Sequence, residues 1–157
     1  MISGAWRVPE INLGEVWPGR GLAESPKVYV RDSGLVHALL GLEDFNDICG
    51  HPVAGSSWEG FVIENLLSVT PDRTVTSFYR TAAGAEIDLV LDLPKSGRWA
   101  IEIKRSLAAK PEKGFHIACD DIKPKKRFVV YPGEGRHPGG ADVEVIGVRE
   151  MMTALGG

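Results

Sequence analysis

Two short runs that alternate between apolar and polar residues, separated by a tight turn, constrain this chain more than any other stretch. Residues 86–93 (EIDLVLDL) and 99–104 (WAIEIK) flank the linker Pro94-Lys95-Ser96-Gly97. The linker has turn chemistry, because proline presets φ and glycine accepts positive φ. In the first run Ile87, Leu89 and Leu91 point one way, and Glu86, Asp88, Val90 and Asp92 the other. In the second, Ile101 and Ile103 oppose Ala100, Glu102 and Lys104. Paired as neighbouring strands over a shared core, the runs would project Asp88, Glu102 and Lys104 from one face. Such a cluster is costly to bury unpaired. Two readings fit it. One is a solvated sheet face whose charges satisfy each other. The other is a divalent-metal site of the form D-x(13)-E-x-K, with hard carboxylate oxygens holding the cation and the lysine beside the attacking water and phosphate.

The helix expected before these strands bears on the choice. Ser56 or Ser57 can cap it, and it runs to about Val69 before Pro71 breaks the pattern. At about 100° per residue, Val62, Ile63, Leu66 and Leu67 fall around Glu59, while Glu64 lies on the far side as a surface charge. Glu59 thus sits within the face that packs on the sheet. A functional carboxylate, an internal salt bridge, or a helix rotated enough for Glu59 to escape at its end would account for it.

Composition narrows the class. With 157 residues, 43% apolar and 25% charged, the chain reads as one globular domain. No apolar run approaches the roughly 20 residues of a membrane span, and the opening MISGAWRVPE is no signal peptide. Cys49 and Cys119 lack metal-ligand spacing, and reduced thiols in a cytoplasm are expected. The histidines are scattered, and no dinucleotide fingerprint, nucleophile elbow or phosphate loop is present, so no small-molecule cofactor and no ATP hydrolysis are expected. The net charge of −3 argues against a generally basic nucleic-acid binder, yet residues 95–136 carry 11 Lys+Arg against 5 Asp+Glu. A basic segment beginning beside the carboxylates suits either a phosphate-bearing substrate or a solvated surface.

Along the chain, residues 1–26 read as an irregular, Gly/Pro/Trp-rich extension, and the abrupt start suggests a fragment of a longer polypeptide. Residues 27–31 form a strand, and 34–40 a helix capped by Asp32 or Ser33, on which His37 is structural. Residues 43–56 and 132–140 read as loops. Strands are expected at 74–81, 125–131 and 143–148, and helices at 114–122 and 149–155. The order gives an α/β fold, a mixed β-sheet whose first three strands form an antiparallel meander flanked by helices.

The segments KVYVRDSGLVHALLG, GSSWEGFVIENLL, FYRTAAGAEIDLVLD and AIEIKRS, in that order, resemble the DUF4143 domain, from about residue 5 to the end. More widely, helix, meander, D…E-x-K, helix and strand resemble the PD-(D/E)XK, or restriction-endonuclease-like, superfamily with its three-layer core. The resemblance implies a nuclease-like domain over residues 27–157, with 1–26 leading from an AAA-type ATPase module. It also implies that Asp88 and Glu102 bind metal, Lys104 is catalytic and Glu59 is the acidic residue from the first core helix. On that likeness Asp88, Glu102 and the carbonyl of Ile103, completed by Glu59, would hold Mg²⁺ or Mn²⁺ for phosphodiester hydrolysis of DNA. Arg80, Arg105 and Lys110 would contact backbone phosphates. Ile87 stands where the superfamily usually has proline. Two alternatives stay open: a non-cleaving nuclease-fold module for nucleic-acid or target recognition, and a protein-interaction or regulatory domain of the ATPase.

Overall fold

A computed structural model describes residues 5–8 and 27–157, with residues 5–8 and Phe45 described by their backbone alone. From the amino terminus the elements are β1 (Ala5–Val8), β2 (Lys27–Val30), α1 (Ser33–Leu39), α2 (Phe45–Gly50), α3 (Val53–Ser68), β3 (Val75–Arg80), β4 (Glu86–Leu93) and β5 (Gly97–Ile103). There follow α4 (Lys113–Ile122), β6 (Lys126–Tyr131), β7 (Arg136–Gly140), β8 (Val143–Gly147) and α5 (Val148–Gly156). The main sheet has six strands in the order β3-β4-β5-β6-β8-β7, and β1 and β2 form a separate antiparallel pair.

The expected meander is present, since β3, β4 and β5 pair antiparallel. The turn between β4 and β5 closes on Gly97, whose φ of 76° explains the glycine. α4 then carries the chain over the sheet, so that β6 runs parallel to β5, and β8 lies parallel to β6. Helices cover both faces. On one, Val62, Ile63 and Leu66 of α3 and Met151 of α5 pack with Leu89, Ile101 and Phe128. On the other, Phe115, Ala118 and Cys119 of α4 pack with Ile87, Val90 and Val129. α4 comes so close to the β3–β4 connection that a Cβ at Gly114 would lie 2.5 Å from the Gly84 carbonyl oxygen. The chain is therefore a mixed α/β domain with a six-stranded mixed sheet flanked by helices. No helix among the described residues is long and apolar enough to cross a membrane.

Three stretches differ from their sequence-based expectation. Within 43–56, read as a loop, Asp44 caps α2 by accepting the Asp47 N–H at 2.8 Å, and α3 begins at Val53. Pro52, with φ of −55°, already has helical geometry and starts α3 without a side-chain cap. Ser56 and Ser57 therefore lie inside the helix. Ser56 bonds back to the Val53 carbonyl, while Ser57 Oγ meets His37 Nε2 at 2.8 Å, a tether between α1 and α3 that suits the structural reading of His37. Within 132–140, β7 forms an edge strand, where Pro138 disrupts little of the ladder. Of the extension at 1–26, Ala5–Val8 is β1, and the remainder lies outside the described residues.

The core makes one prediction about thiol chemistry. Burial against α4's face of the sheet pushes the Cys119 thiol up to about 12, whereas Cys49 is exposed. Folded Cys119 keeps its proton above the ordinary thiol value of about 8.5, while the unfolded chain releases it there. The unfolded state then binds fewer protons, so this group's stabilising contribution declines as pH rises from about 8.5 toward 12. At pH 8.5 a disulfide reagent should label Cys49 in the native protein and Cys119 only after unfolding in guanidinium. Equal labelling of both in the native state would contradict this burial.

Candidate functional site

A one-residue irregularity in β4 organises the site. Ser77 pairs with Val90 and Tyr79 with Ile87, so Asp88 and Leu89 together oppose the single residue Phe78. Such a bulge bends its strand and re-aims a side chain. Its effect appears in the two cores. Leu89 packs on the α3 side with Leu91, but Ile87 packs on the α4 side with Val90. The uniform alternation expected across 86–93 is therefore broken at Asp88. Its carboxylate is turned toward α3 and β2, away from the arrangement in which it shares one face with Glu102 and Lys104.

Beyond the Leu89–Ile101 pair, β4 and β5 part around this carboxylate. The Ile103 N–H donates to Asp88 Oδ2 at 2.9 Å, a side chain taking the place of a ladder carbonyl. The other oxygen, Oδ1, lies 3.0 Å from the Lys27 ammonium of β2. Lys27 also lies 3.0 Å from Glu59 Oε1 and 2.7 Å from Glu86 Oε1. The Tyr29 hydroxyl donates to that same Glu59 oxygen, fixing the carboxylate from the neighbouring residue on β2's face. Tyr29 in turn packs over Gly60, where an added Cβ would meet its ring at 3.4 Å. The carboxylate that the helical wheel placed on the packed face of α3 thus has two partners on β2.

A second cluster forms where β5 ends. Glu102 is buried, and its Oε1 lies 2.9 Å from the Lys104 ammonium while its Oε2 accepts the Glu112 N–H at 3.2 Å. Lys104 also pairs with the Glu112 carboxylate. The Trp58 indole N–H donates to the Lys104 carbonyl at 3.1 Å, pinning the end of β5 to α3. Trp58, stacked on Phe61 with ring centroids 5.8 Å apart, also walls a cleft of about 520 Å³ lined by His37, Ile48, Cys49 and Leu107.

The electrostatics follow from burial and pairing. Burial pulls the Lys27 ammonium down, but Asp88, Glu59 and Glu86 outweigh it and hold its pKa above the ordinary lysine value. Burial and the Glu59 carboxylate raise Asp88, against the Lys27 ammonium and the Ile103 N–H. Burial raises Glu102, opposed by Lys104 and the Glu112 N–H. For Lys104 the downward pull of burial is more than offset by Glu112 and Glu102, so it is a cation at neutral pH.

The donor set fits a hard divalent cation in chemistry, since Glu59 and Asp88 direct carboxylate oxygens at one point already held by positive charge. Its spacing suits an ammonium. The N···O distances of 2.7–3.0 Å exceed the roughly 2.0–2.1 Å of Mg–O contacts, and among the described residues no three His, Cys, Asp or Glu side chains are drawn together as metal ligands. The basic residues have separate surroundings. Arg80 lies over the Phe78 ring, exposed Arg105 reaches toward the Cys49 carbonyl at 3.4 Å, and Lys110 is exposed on the connection to α4. Sequence reasoning missed Lys27, Tyr29 and Glu112. Strand alternation puts Lys27 on the face of Tyr29, which is buried, and that spacing was the available signal.

A family model described as "Domain of unknown function (DUF4143)" matches residues 54–151, which include Glu59, Asp88, Glu102 and Lys104. An uncharacterized protein of Mycobacterium tuberculosis is 36% identical over 136 residues, covering 86% of this chain and 30% of that protein. An uncharacterized protein of Mycobacterium bovis matches with the same identity and coverage. The chain thus spans about 30% of the length of these curated relatives. No solved structure matches it.

Proposed function

The chain belongs to the DUF4143 family, and we propose that it is a Mg²⁺- or Mn²⁺-dependent DNA phosphodiesterase built on a restriction-endonuclease-like core. The observation that carries this reading is the fork between β4 and β5. There the bulge brings Asp88 to Glu59 of α3, while Glu102 and Lys104 stand at the end of the adjacent strand. The order α3-β3-β4-β5-α4-β6, with β5 and β6 parallel, supports the same core. In a protein of its relatives' length, residues 27–157 would form this domain and 1–26 would lead from an AAA-type ATPase module.

Asp88 Oδ1 and Glu59 Oε1 would be the principal ligands, with Glu102 joining through water. The Ile103 carbonyl is a further donor, because an extended residue turns its N–H and C=O to the same neighbour and this N–H already faces Asp88. A divalent cation held there supplies an acidified water and offsets charge on the phosphate. The Ile103 N–H fixes one Asp88 oxygen and leaves the other directed at the seat. Tyr29 orients Glu59. Lys104, protonated at neutral pH, acts as a fixed cation toward a non-bridging phosphate oxygen rather than as a base. Exposed Arg105 and Lys110, with Arg80, would contact backbone phosphates, giving affinity without sequence choice.

The test is nicking of plasmid and linear DNA with Mg²⁺ or Mn²⁺, wild type beside Asp88→Ala and Lys104→Ala. Cleavage should require the cation and be lost in both variants; activity surviving both substitutions rejects the assignment. A second reading, a nucleic-acid-binding module that does not cut, is favoured by the Lys27 ammonium between Asp88 and Glu59. It predicts salt-dependent DNA binding with no cleavage under any divalent cation.

A further inference from the structure

The Lys27 ammonium stands at the point where the carboxylates of Glu59 and Asp88 converge, 3.0 Å from each, with its side chain only 10% exposed. Building on the metal-dependent reading above, we propose that Lys27 holds the cation seat of this site and must leave it before a divalent cation is bound between Asp88 and Glu59.

Every Asp88 oxygen already has a donor: Oδ2 has the Ile103 N–H and Oδ1 the Lys27 ammonium. The amide is fixed in β5, whereas the ammonium rides on a flexible four-carbon stem, so the lysine is the exchangeable donor. The two cations cannot share the seat, because like charges at hydrogen-bonding distance repel strongly where water is scarce. The seat is also dimensioned for nitrogen, at 3.0 Å from both oxygens. A smaller ion requires the carboxylates to close inward once the ammonium has gone.

The structure supplies a place for the displaced charge. Lys27 Nζ is 2.7 Å from Glu86 Oε1, and the Glu86 side chain is 41% exposed, against 16% for Asp88 and 23% for Glu59. A swing toward Glu86 therefore keeps one ion pair while moving the ammonium toward water and freeing the two inner carboxylates. Lys27 sits on β2, which pairs with β1 outside the six-stranded sheet, so its movement leaves the β4–β5 ladder undisturbed. Lys104 cannot serve as the same gate, since Glu102 and Glu112 hold it at the end of β5.

The experiment is calorimetric titration of the 157-residue chain with Mn²⁺ alone, comparing wild type, Lys27→Met, Asp88→Asn and the double variant, each checked for folding by thermal melting. Lys27→Met should bind Mn²⁺ at least about tenfold more tightly than wild type, the equivalent of about 1.4 kcal/mol of competition removed, and the double variant should lose that binding. If Lys27→Met binds no more tightly than wild type while Asp88→Asn abolishes wild-type binding, the competition is overturned and the metal site stands. If neither wild type nor folded Lys27→Met binds Mn²⁺ through Asp88, the competition and the metal-dependent reading both fall. Should Lys27→Met not fold, nuclear magnetic resonance of the Lys27 ammonium in wild type decides. Mg²⁺ should move that signal toward a solvent-exposed lysine, and a signal unchanged at saturating Mg²⁺ overturns the proposal.

Discussion

Asp88→Asn is expected to reduce metal-dependent cleavage by roughly 10³-fold or more while leaving the fold intact. The side chains have nearly equal volume, and the amide oxygen of asparagine can still accept the Ile103 N–H that now reaches Asp88 Oδ2 at 2.9 Å. The substitution removes the negative charge from the seat. A metal's stabilisation of charge on a reacting phosphate is worth several kcal/mol, and each 1.36 kcal/mol is tenfold in rate. Stability should change little, because Lys27 retains Glu59 and Glu86 as partners. A thermal midpoint within about 4 °C of wild type, the equivalent of roughly 1 kcal/mol at this chain length, together with lost cleavage, separates a chemical role from a structural one. Lost cleavage accompanied by unfolding would leave Asp88 as a structural residue.

Phe78→Ala should have the largest effect on stability, about 3–5 kcal/mol by urea unfolding. Phe78 is fully buried and is the one residue facing both Asp88 and Leu89 across the bulge. Its ring packs in the core beneath α3, with the Lys27 ammonium 5.8 Å from its centroid. Truncation leaves a cavity under the bulge, so the aim of Asp88 should loosen along with the core. Val75→Ala, at a position 61% exposed on the same strand, should cost no more than about 0.5 kcal/mol. Similar losses for the two variants would mean that the bulge does not depend on Phe78.

The meander was legible because period-two alternation and a Pro-Lys-Ser-Gly turn are local signals, and residues 86–93 match β4 throughout. The bulge was not, because register is a property of two strands, and nothing in EIDLVLDL says that Phe78 will face two residues. α2 was hidden by polar composition, its cap at Asp44 being too short-range a signal to outweigh Gly50 and Pro52. Glu59 could be singled out because a carboxylate on an apolar helical face conflicts with its surroundings. The wheel could not name its partners, Lys27 and Tyr29, which lie about thirty residues earlier. Lys27 itself opens a strand, where a lysine ordinarily reads as solvated, and only the docking of β2 on α3 shows it to be enclosed.

The carboxylates of Asp88 and Glu59 converge on one cation seat, held by the Lys27 ammonium, and the proposal is that a divalent metal takes it once Lys27 has left. Diffraction from crystals soaked in Mn²⁺, recorded for anomalous scattering, tests it most directly. A manganese peak is expected within about 2.0–2.6 Å of carboxylate oxygens of Asp88 and Glu59, with the Lys27 ammonium moved toward Glu86. Saturating Mn²⁺ that leaves Lys27 in place, with no peak at these carboxylates, would contradict it.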